Sequence, residues 1–160
     1  MAILFNDMSP LSRVWVFQSN RFLSAVQQEL INSKLSSFVA EWATHGTPLH
    51  ASFEIKNNCS VIVAVDENIQ TASGCSISSL TALFESLGTA FELSFFDRFS
   101  IAHKTNNTVN LSSVKEFKDL IASGSVNADT IVYNNLVANK EDLSSKWELP
   151  LKNSWQRRYL

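Results

Sequence analysis

Glycine is scarce in this sequence, and its positions exclude a classical nucleotide-binding loop. The four glycines stand at positions 46, 74, 88 and 124, and none of them is followed by lysine. A phosphate-binding loop needs the pattern Gly-x4-Gly-Lys-Ser/Thr, because backbone N–H groups and the lysine together hold the phosphates. The dinucleotide fingerprint Gly-x-Gly-x-x-Gly is absent as well. The sequence therefore predicts that the protein is not a P-loop ATPase, and we expect no cofactor.

Cysteine, basic charge and long apolar runs are also limited. The two cysteines, Cys59 and Cys75, are too few for a disulfide scaffold, and no histidine spacing completes a metal site. The 13 Lys and Arg residues against 15 Asp and Glu residues offer no basic stripe for nucleic acid. No run approaches the roughly 20 apolar residues of a membrane helix, and residues 1–7 lack the features of a signal peptide. We therefore expect a cytoplasmic protein with no metal, no nucleic-acid partner and no membrane insertion.

Apolar and aromatic residues, in contrast, are plentiful. Hydrophobic residues make up 45% of the 160 residues, and eleven Phe and four Trp are available for packing. This composition is typical of a globular chain, and the length fits one domain with its own core. We expect a single domain over residues 1–160, with a core at about 13–104 and a C-terminal subregion at about 105–160.

The apolar patterns of the core predict the order strand, helix, hairpin, helix, strand. Strands are predicted at 13–18, 51–56, 60–65 and 99–103, a long helix at 25–44, and a second helix after residue 76 that ends at Gly88. The unbroken apolar run 60–65 favours a central strand that is covered on both faces. This order is that of a ferredoxin-like βαββαβ core in the α+β class, with a mixed or antiparallel sheet and helices on one face. A mixed three-layer α/β arrangement is the alternative.

The C-terminal subregion adds a helix and a strand to this core. The sequence Ser113-Val114-Lys115-Glu116 is a capping box, and it begins a short helix that stops at Gly124. Residues 130–133 are β-branched and aromatic, which predicts a strand. We expect the aromatic tail after Trp147 to fold back over the core.

The segment Ala72 to Ser76 has more features of a site than any other part of the sequence. It is predicted to be a loop that leads directly into a helix, where free N–H groups favour anions. We therefore take Ser73, Gly74 and Ser76 as candidate ligand-binding residues. The same position lowers the pKa of a thiol, so Cys75 is a candidate nucleophile. The alternative is that a serine caps the helix and Cys75 is a small packed residue.

Two further residues are candidates because they end predicted strands. Asp66 follows the predicted central strand, at the kind of sheet edge where ligand groups collect. The alternative for Asp66 is acceptance of hydrogen bonds from the loop backbone. His103 ends the fourth predicted strand and is a candidate base for Cys75.

Two arginines stand beside apolar residues near predicted strand ends. Arg21 follows the first strand, and Arg98 precedes the fourth. Either arginine could pair with Asp97, Glu54 or a bound anion. Both are therefore candidate ligand-binding residues, with a structural ion pair as the alternative.

Several stretches together also resemble a known family. They are Val14–Leu23, Glu41–Gly46, Ala51–Glu54, Ala72–Ile77, Phe95–Arg98 and Asn134–Val137. Along nearly its whole length the chain resembles a small family of uncharacterised proteins from Bacteroidetes-type bacteria, whose members often carry the label ABC transporter ATPase. The missing phosphate-binding loop contradicts that label. Residues 109–133 are also similar to the end of small GYF-like adaptor modules, which implies binding of a peptide or a partner protein.

Two functions from different classes follow from these residues. The favoured interpretation is a small soluble module without catalytic activity that binds a small anionic ligand or a protein partner near Gly74 and Cys75, because no complete catalytic set can be assembled. The alternative is a thiol-dependent enzyme with Cys75 as nucleophile, a histidine as base and helix N–H groups as oxyanion donors.

Overall fold

The computed structural model describes residues 2–160, and within them it contains nine strands and four α-helices. The strands are β1 (Arg13–Gln18), β2 (Ala43–Thr44), β3 (Thr47–Pro48), β4 (Ala51–Lys56), β5 (Ser60–Val65), β6 (Ser100–Thr105), β7 (Thr108–Ser113), β8 (Ile131–Tyr133) and β9 (Glu148–Pro150). The α-helices are α1 (Ala25–Glu41), α2 (Gly74–Phe91), α3 (Val114–Ala122) and α4 (Lys140–Lys146). Short 3-10 helices cover Phe5–Asp7, Leu151–Asn153 and Trp155–Tyr159.

The strands form two main sheets and one small hairpin. The first sheet has the order β1-β5-β4, the second has the order β7-β6-β8-β9, and β2 pairs with β3. Every pairing between these strands is antiparallel. The α+β class predicted from the sequence is therefore confirmed.

The strand β5 lies in the centre of the first sheet and is buried on both faces. Val61, Val63 and Val65 face a core shared with α1 and α2. Ile62 and Ala64 face the opposite way, into a second core shared with the second sheet and α4. All six residues of β5 are buried, which explains why its sequence is apolar without a break.

The second sheet is covered on its outer face by α3. Phe117 of α3 is fully buried and packs in one cluster with Ile101, Val132 and Leu151. The layers therefore run from α1 and α2 through the first sheet and the second sheet to α3. None of the helices within residues 2–160 is long and apolar enough to cross a membrane.

The ferredoxin-like core is not confirmed, because β6 lies in the second sheet and does not pair with the first. A tight turn at Asn106 and Asn107, which have φ angles of 53° and 61°, joins β6 to β7. The two strands then pair along their whole length, from Ser100↔Ser113 to Thr105↔Thr108. The first sheet itself keeps the arrangement of a split βαβ unit, because β5 lies between β1 and β4 and is antiparallel to both; the fourth strand is what the sheet lacks.

Both helices of the first layer end differently from the sequence prediction. The helix α1 ends at Glu41, three residues early, because the segment that follows makes the β2–β3 hairpin around His45 and Gly46, with φ angles of 49° and 80°. The helix α2 continues past Gly88 to Phe91, and Glu92 takes the left-handed conformation that ends it.

Candidate functional site

The predicted segment at residues 72–76 forms the N-terminal cap of α2. Ser73 is the N-cap residue, and its hydroxyl accepts a hydrogen bond from the N–H of Ser76 at 3.1 Å. The N–H of Ser73 donates to the hydroxyl of Thr44 at 3.0 Å. Gly74 is the first helical residue, and nothing lies within 4 Å of the Cβ position it lacks. These hydrogen bonds are those of a helix cap, which was the alternative interpretation of this segment in the sequence analysis.

The hydroxyl groups around this cap are engaged with one another. The hydroxyl of Thr44 lies 3.2 Å from the hydroxyls of both Ser73 and Ser76. Ser76 is buried, and its hydroxyl donates to the Ser73 carbonyl at 2.8 Å. The indole N–H of Trp42 donates to the Ser76 carbonyl at 2.9 Å. These hydrogen bonds therefore hold the start of α2 against the segment that follows α1.

The two cysteines have opposite environments. Cys75 is exposed in the first turn of α2, whereas Cys59 is fully buried. Burial raises the pKa of the Cys59 thiol to about 11. Cys59 is therefore a packed residue, and Cys75 is the accessible thiol.

The candidate base, His103, lies in a different layer from Cys75. His103 is 1% exposed on the face of the second sheet that packs against Phe117 of α3. Its Nδ1 lies 2.9 Å from the Thr105 hydroxyl and its Nε2 lies 2.8 Å from the Ser112 hydroxyl. Both ring nitrogens are thus used inside the protein, and burial lowers the pKa of the imidazole. The structure does not bring His103 and Cys75 together.

Asp66 and Arg21 make local contacts with the backbone. A carboxylate oxygen of Asp66 accepts from the N–H of Asn68 at 3.1 Å, which shapes the loop after β5. The guanidinium of Arg21 donates to the carbonyls of Phe91 and Glu92 at the end of α2. A cation is favoured there by the negative end of the helix dipole.

The ion pairs considered for Arg21 and Arg98 are not formed. Glu54 pairs with Lys56, at 3.5 Å. One oxygen of Asp97 accepts from the N–H of Phe99 at 2.9 Å, and the other accepts from Asn20 at 3.4 Å. Among residues 2–160, no carboxylate lies within ion-pair distance of Arg98.

Arg98 instead lines a cleft between the two main sheets, which we call the interlayer cleft. Its volume is about 380 Å³. Its walls come from β1, from the start of β6, from the segment before β6, from the segment after β8 and from the C-terminal tail. The lining residues are Val16, Gln18, Phe95, Asp97, Arg98, Ser100, Ile101, Ala102, Tyr133, Asn135, Leu136, Trp155 and Gln156.

A relay of side-chain amides forms the polar part of the interlayer cleft. The indole N–H of Trp147 donates to the Asn135 carbonyl oxygen at 2.8 Å, and the Asn135 amide N–H donates to the Gln18 oxygen at 2.9 Å. The Gln18 amide N–H then donates to the Ser100 carbonyl at 3.0 Å. Because an indole can only donate and a carbonyl can only accept, this relay fixes the orientation of both amides.

Gln156 adds a third oriented amide to the same cleft. It is 5% exposed, and its N–H donates to the Tyr133 carbonyl at 3.2 Å. Its oxygen accepts from the Ser154 hydroxyl. The C-terminal tail is therefore attached to the second sheet through a buried amide.

The lip of the interlayer cleft carries large exposed apolar side chains. Leu136 is 74% exposed and Trp155 is 40% exposed, and both line the cleft. The segment that contributes Arg98 also carries Phe96 and Phe99, which are 45% and 69% exposed. The lip therefore presents an apolar patch beside the buried amides.

Of the candidate residues from the sequence, Arg98 alone lies in this cleft. Sequence reasoning missed Gln18, Asn135, Trp155 and Gln156, because these residues are distant in sequence and come together only when the two sheets pack against each other. One signal was present: Gln18 is a polar residue directly after the four apolar residues Val14–Phe17.

Comparison of the chain with protein-family models, with curated proteins and with solved structures gives no match. Within residues 2–160, no three His, Cys, Asp or Glu side chains are grouped so that they could hold a metal ion. The interlayer cleft, with its oriented amides and apolar lip, is therefore the feature from which a function is inferred.

Proposed function

We propose that the protein is a non-catalytic interaction module that binds a short segment of a partner protein in the interlayer cleft. The observation that carries this proposal is the combination of buried, oriented amides with an exposed apolar lip around one concavity. Binding sites are typically concave and largely apolar, with a few polar groups that fix the orientation of the ligand. A volume of about 380 Å³ lies within the usual range of roughly 300–1,000 Å³ for such sites.

The apolar lip supports a protein partner. Single exposed apolar side chains are common on protein surfaces, but contiguous ones indicate an interaction site. Leu136 and Trp155 are two large exposed side chains at one opening, and Phe96 and Phe99 are exposed on the segment that contributes Arg98. Aromatic residues of this kind are enriched at interfaces, where they supply most of the binding energy.

Among the described residues, the outer edge of β1 pairs with Ala138 and Asn139 only at its start, and its later part supports an extended segment as the ligand. The N–H of Val14 donates to the Ala138 carbonyl at 3.0 Å, on the side of β1 that faces away from β5. Because backbone groups alternate in direction along an antiparallel strand, those of Val16 also point away from β5. Val16 lines the cleft, so its backbone groups lie where an extended peptide could pair with them.

The proposal is tested with a library of short synthetic peptides and two matched leucine variants. We expect peptides selected on the wild-type protein to bind about thirtyfold more weakly to Trp155→Ala, because an interface hot spot contributes about 2 kcal/mol. Leu136→Ala should also weaken binding, whereas Leu11→Ala, which removes an exposed leucine outside the cleft, should not. Binding measured by fluorescence anisotropy that is the same in Trp155→Ala and wild type would refute the proposal.

The thiol-dependent enzyme is the second candidate, and the exposure of Cys75 at the start of α2 favours it. It has less support than the interaction module, because the side chains of Ser73 and Ser76 are used in the cap and His103 lies in another layer. An enzyme of this class would lose all activity in Cys75→Ser. The interaction module would keep its peptide binding in the same variant.

A further inference from the structure

The interlayer cleft has unused hydrogen-bond donors at fixed positions. Each side-chain amide carries two N–H hydrogens. Gln18, Asn135 and Gln156 each donate one of them to a protein acceptor, and within residues 2–160 the second has none. Gln18 and Gln156 are 9% and 5% exposed, so these donors lie largely out of solvent. Each of these amide nitrogens already has one acceptor, and an acceptor on a ligand would take its second hydrogen.

The charged groups of the cleft also favour an acceptor. Arg98 brings five further N–H donors and a positive charge that no carboxylate within residues 2–160 pairs with. Asp97, the carboxylate that lines the cleft, is held by the N–H of Phe99 and by Asn20. Its oxygens are thus already hydrogen-bonded, whereas the guanidinium is available.

We infer that the partner segment presents a carboxylate to the interlayer cleft, where Arg98 and the amide N–H groups of Gln18, Asn135 and Gln156 donate to it. This inference rests on the proposed function, and it names the chemical group that the cleft selects. A carboxylate has two oxygens that each accept more than one hydrogen bond, and it pairs with guanidinium in a two-pronged geometry. The apolar residue next to the carboxylate would pack against Trp155 and Leu136. We assign this group to the C-terminal carboxylate of the partner segment, because a chain terminus follows directly on an extended backbone of the kind that the edge of β1 can pair with.

The inference is tested with three sets of short N-acetylated peptides that share the same apolar library. The first set has a free C-terminal carboxylate and no acidic side chain. The second set has a C-terminal amide and no acidic side chain. The third set has a C-terminal amide and one fixed glutamate. We expect binding to the first set and not to the second. Binding of the third set without the first would overturn the terminal carboxylate and identify an acidic side chain as the source.

Two variants that each remove one positive charge test whether the preference for a carboxylate depends on the cleft. Arg98→Gln should weaken binding of the carboxylate peptides about tenfold, because a charge-assisted hydrogen bond is lost. Lys34→Gln removes one positive charge from an exposed position on α1 and should leave binding unchanged. The amidated neutral peptides could bind as tightly as the acidic ones and still lose binding in Trp155→Ala. That result would overturn the inferred role of the carboxylate and leave the proposed function standing. Failure of all three sets to bind would overturn the proposed function as well.

Discussion

Gly88 lies inside α2 at a point where a larger residue meets backbone, so Gly88→Ala should destabilise the protein. A Cβ atom at position 88 would lie 2.8 Å from the Leu93 carbonyl oxygen and 3.7 Å from the Leu93 carbonyl carbon. Leu93 is not free to move aside, because its N–H donates to the Gly88 carbonyl at 3.0 Å. Relief of the contact therefore requires a shift of the chain that leaves the helix at Glu92.

Two opposing effects determine the size of this change. Alanine is favoured over glycine inside a helix by about 1 kcal/mol. Inserting a methyl group into a packed site costs typically about 1–3 kcal/mol. The contact at Gly88 is with backbone rather than with a flexible side chain, which supports the upper part of that range. We expect Gly88→Ala to lower the free energy of unfolding by about 1–2 kcal/mol.

The matched control is Gly74→Ala at the first position of the same helix. Nothing lies within 4 Å of a Cβ atom there. Where the backbone suits alanine without strain, the substitution stabilises by about 0.4–1 kcal/mol. The free energies of unfolding are measured by urea denaturation followed by circular dichroism. A Gly88→Ala protein that is as stable as wild type would refute the argument, because the gain in helix propensity would then fully offset the contact with Leu93.

Three further predictions concern titratable and reactive side chains. Burial lowers the pKa of His103 from 6.5, so its contribution to stability is complete above that pH and is lost as the pH falls through the folded pKa. His103→Gln should flatten the dependence of unfolding free energy on pH between about 7 and 5, and an unchanged slope would contradict this. Burial and the neighbouring Glu148 raise the pKa of Tyr133 to about 12. Its contribution is therefore complete below its usual pKa of 10.0 and is lost as the pH rises through 12, and Tyr133→Phe should remove that alkaline loss. Iodoacetamide at neutral pH should label the exposed Cys75 and reach the buried Cys59 only after unfolding, as read by mass spectrometry; equal rates in the folded protein would show that Cys59 is accessible.

The strands of the first sheet could be predicted from the sequence because local patterns determine them. The predicted bounds 13–18, 51–56 and 60–65 are those of β1, β4 and β5. The turn between β4 and β5 was also predicted, and Asn57 and Asn58 have φ angles of 57° and 56° there. Asparagine tolerates that backbone region better than most residues, so the residue type itself carried the information.

The partner of β6 could not be predicted in the same way, because strand pairing depends on which strands the fold brings side by side and not on the local sequence of one strand. The sequence indicated a strand at 99–103, and the two asparagines at 106 and 107 turn the chain so that this strand forms a hairpin with β7. Assigning β6 to the first sheet followed from the order of elements alone. The local hairpin is the shorter connection, and short connections between sequential strands are the general tendency.

The candidate site shifted for a related reason. Ser73 and Ser76 carry the residue types of both an anion site and a helix cap, and the hydroxyl of Thr44, 29 residues before Ser73, completes the cap. The interlayer cleft instead depends on Gln18 and Asn135, which are 117 residues apart. No local pattern in the sequence connects those two amides, whereas Arg98 could be identified because an arginine stands beside apolar residues in one short segment.

Polar contacts cross the interlayer cleft, and they distinguish it from a gap left by poor packing. Nearby, the same two sheets meet through apolar side chains such as Ile62 and Ala102. At the cleft, Gln18 reaches across to Ser100 and Asn135. Buried amides need hydrogen bonds to avoid a penalty, and apolar groups of the same shape would be about as stable. Stability alone therefore does not call for amides here. In the proposed function they supply what apolar residues cannot, namely N–H donors held at fixed positions before the partner arrives, which reduces the entropy lost on binding.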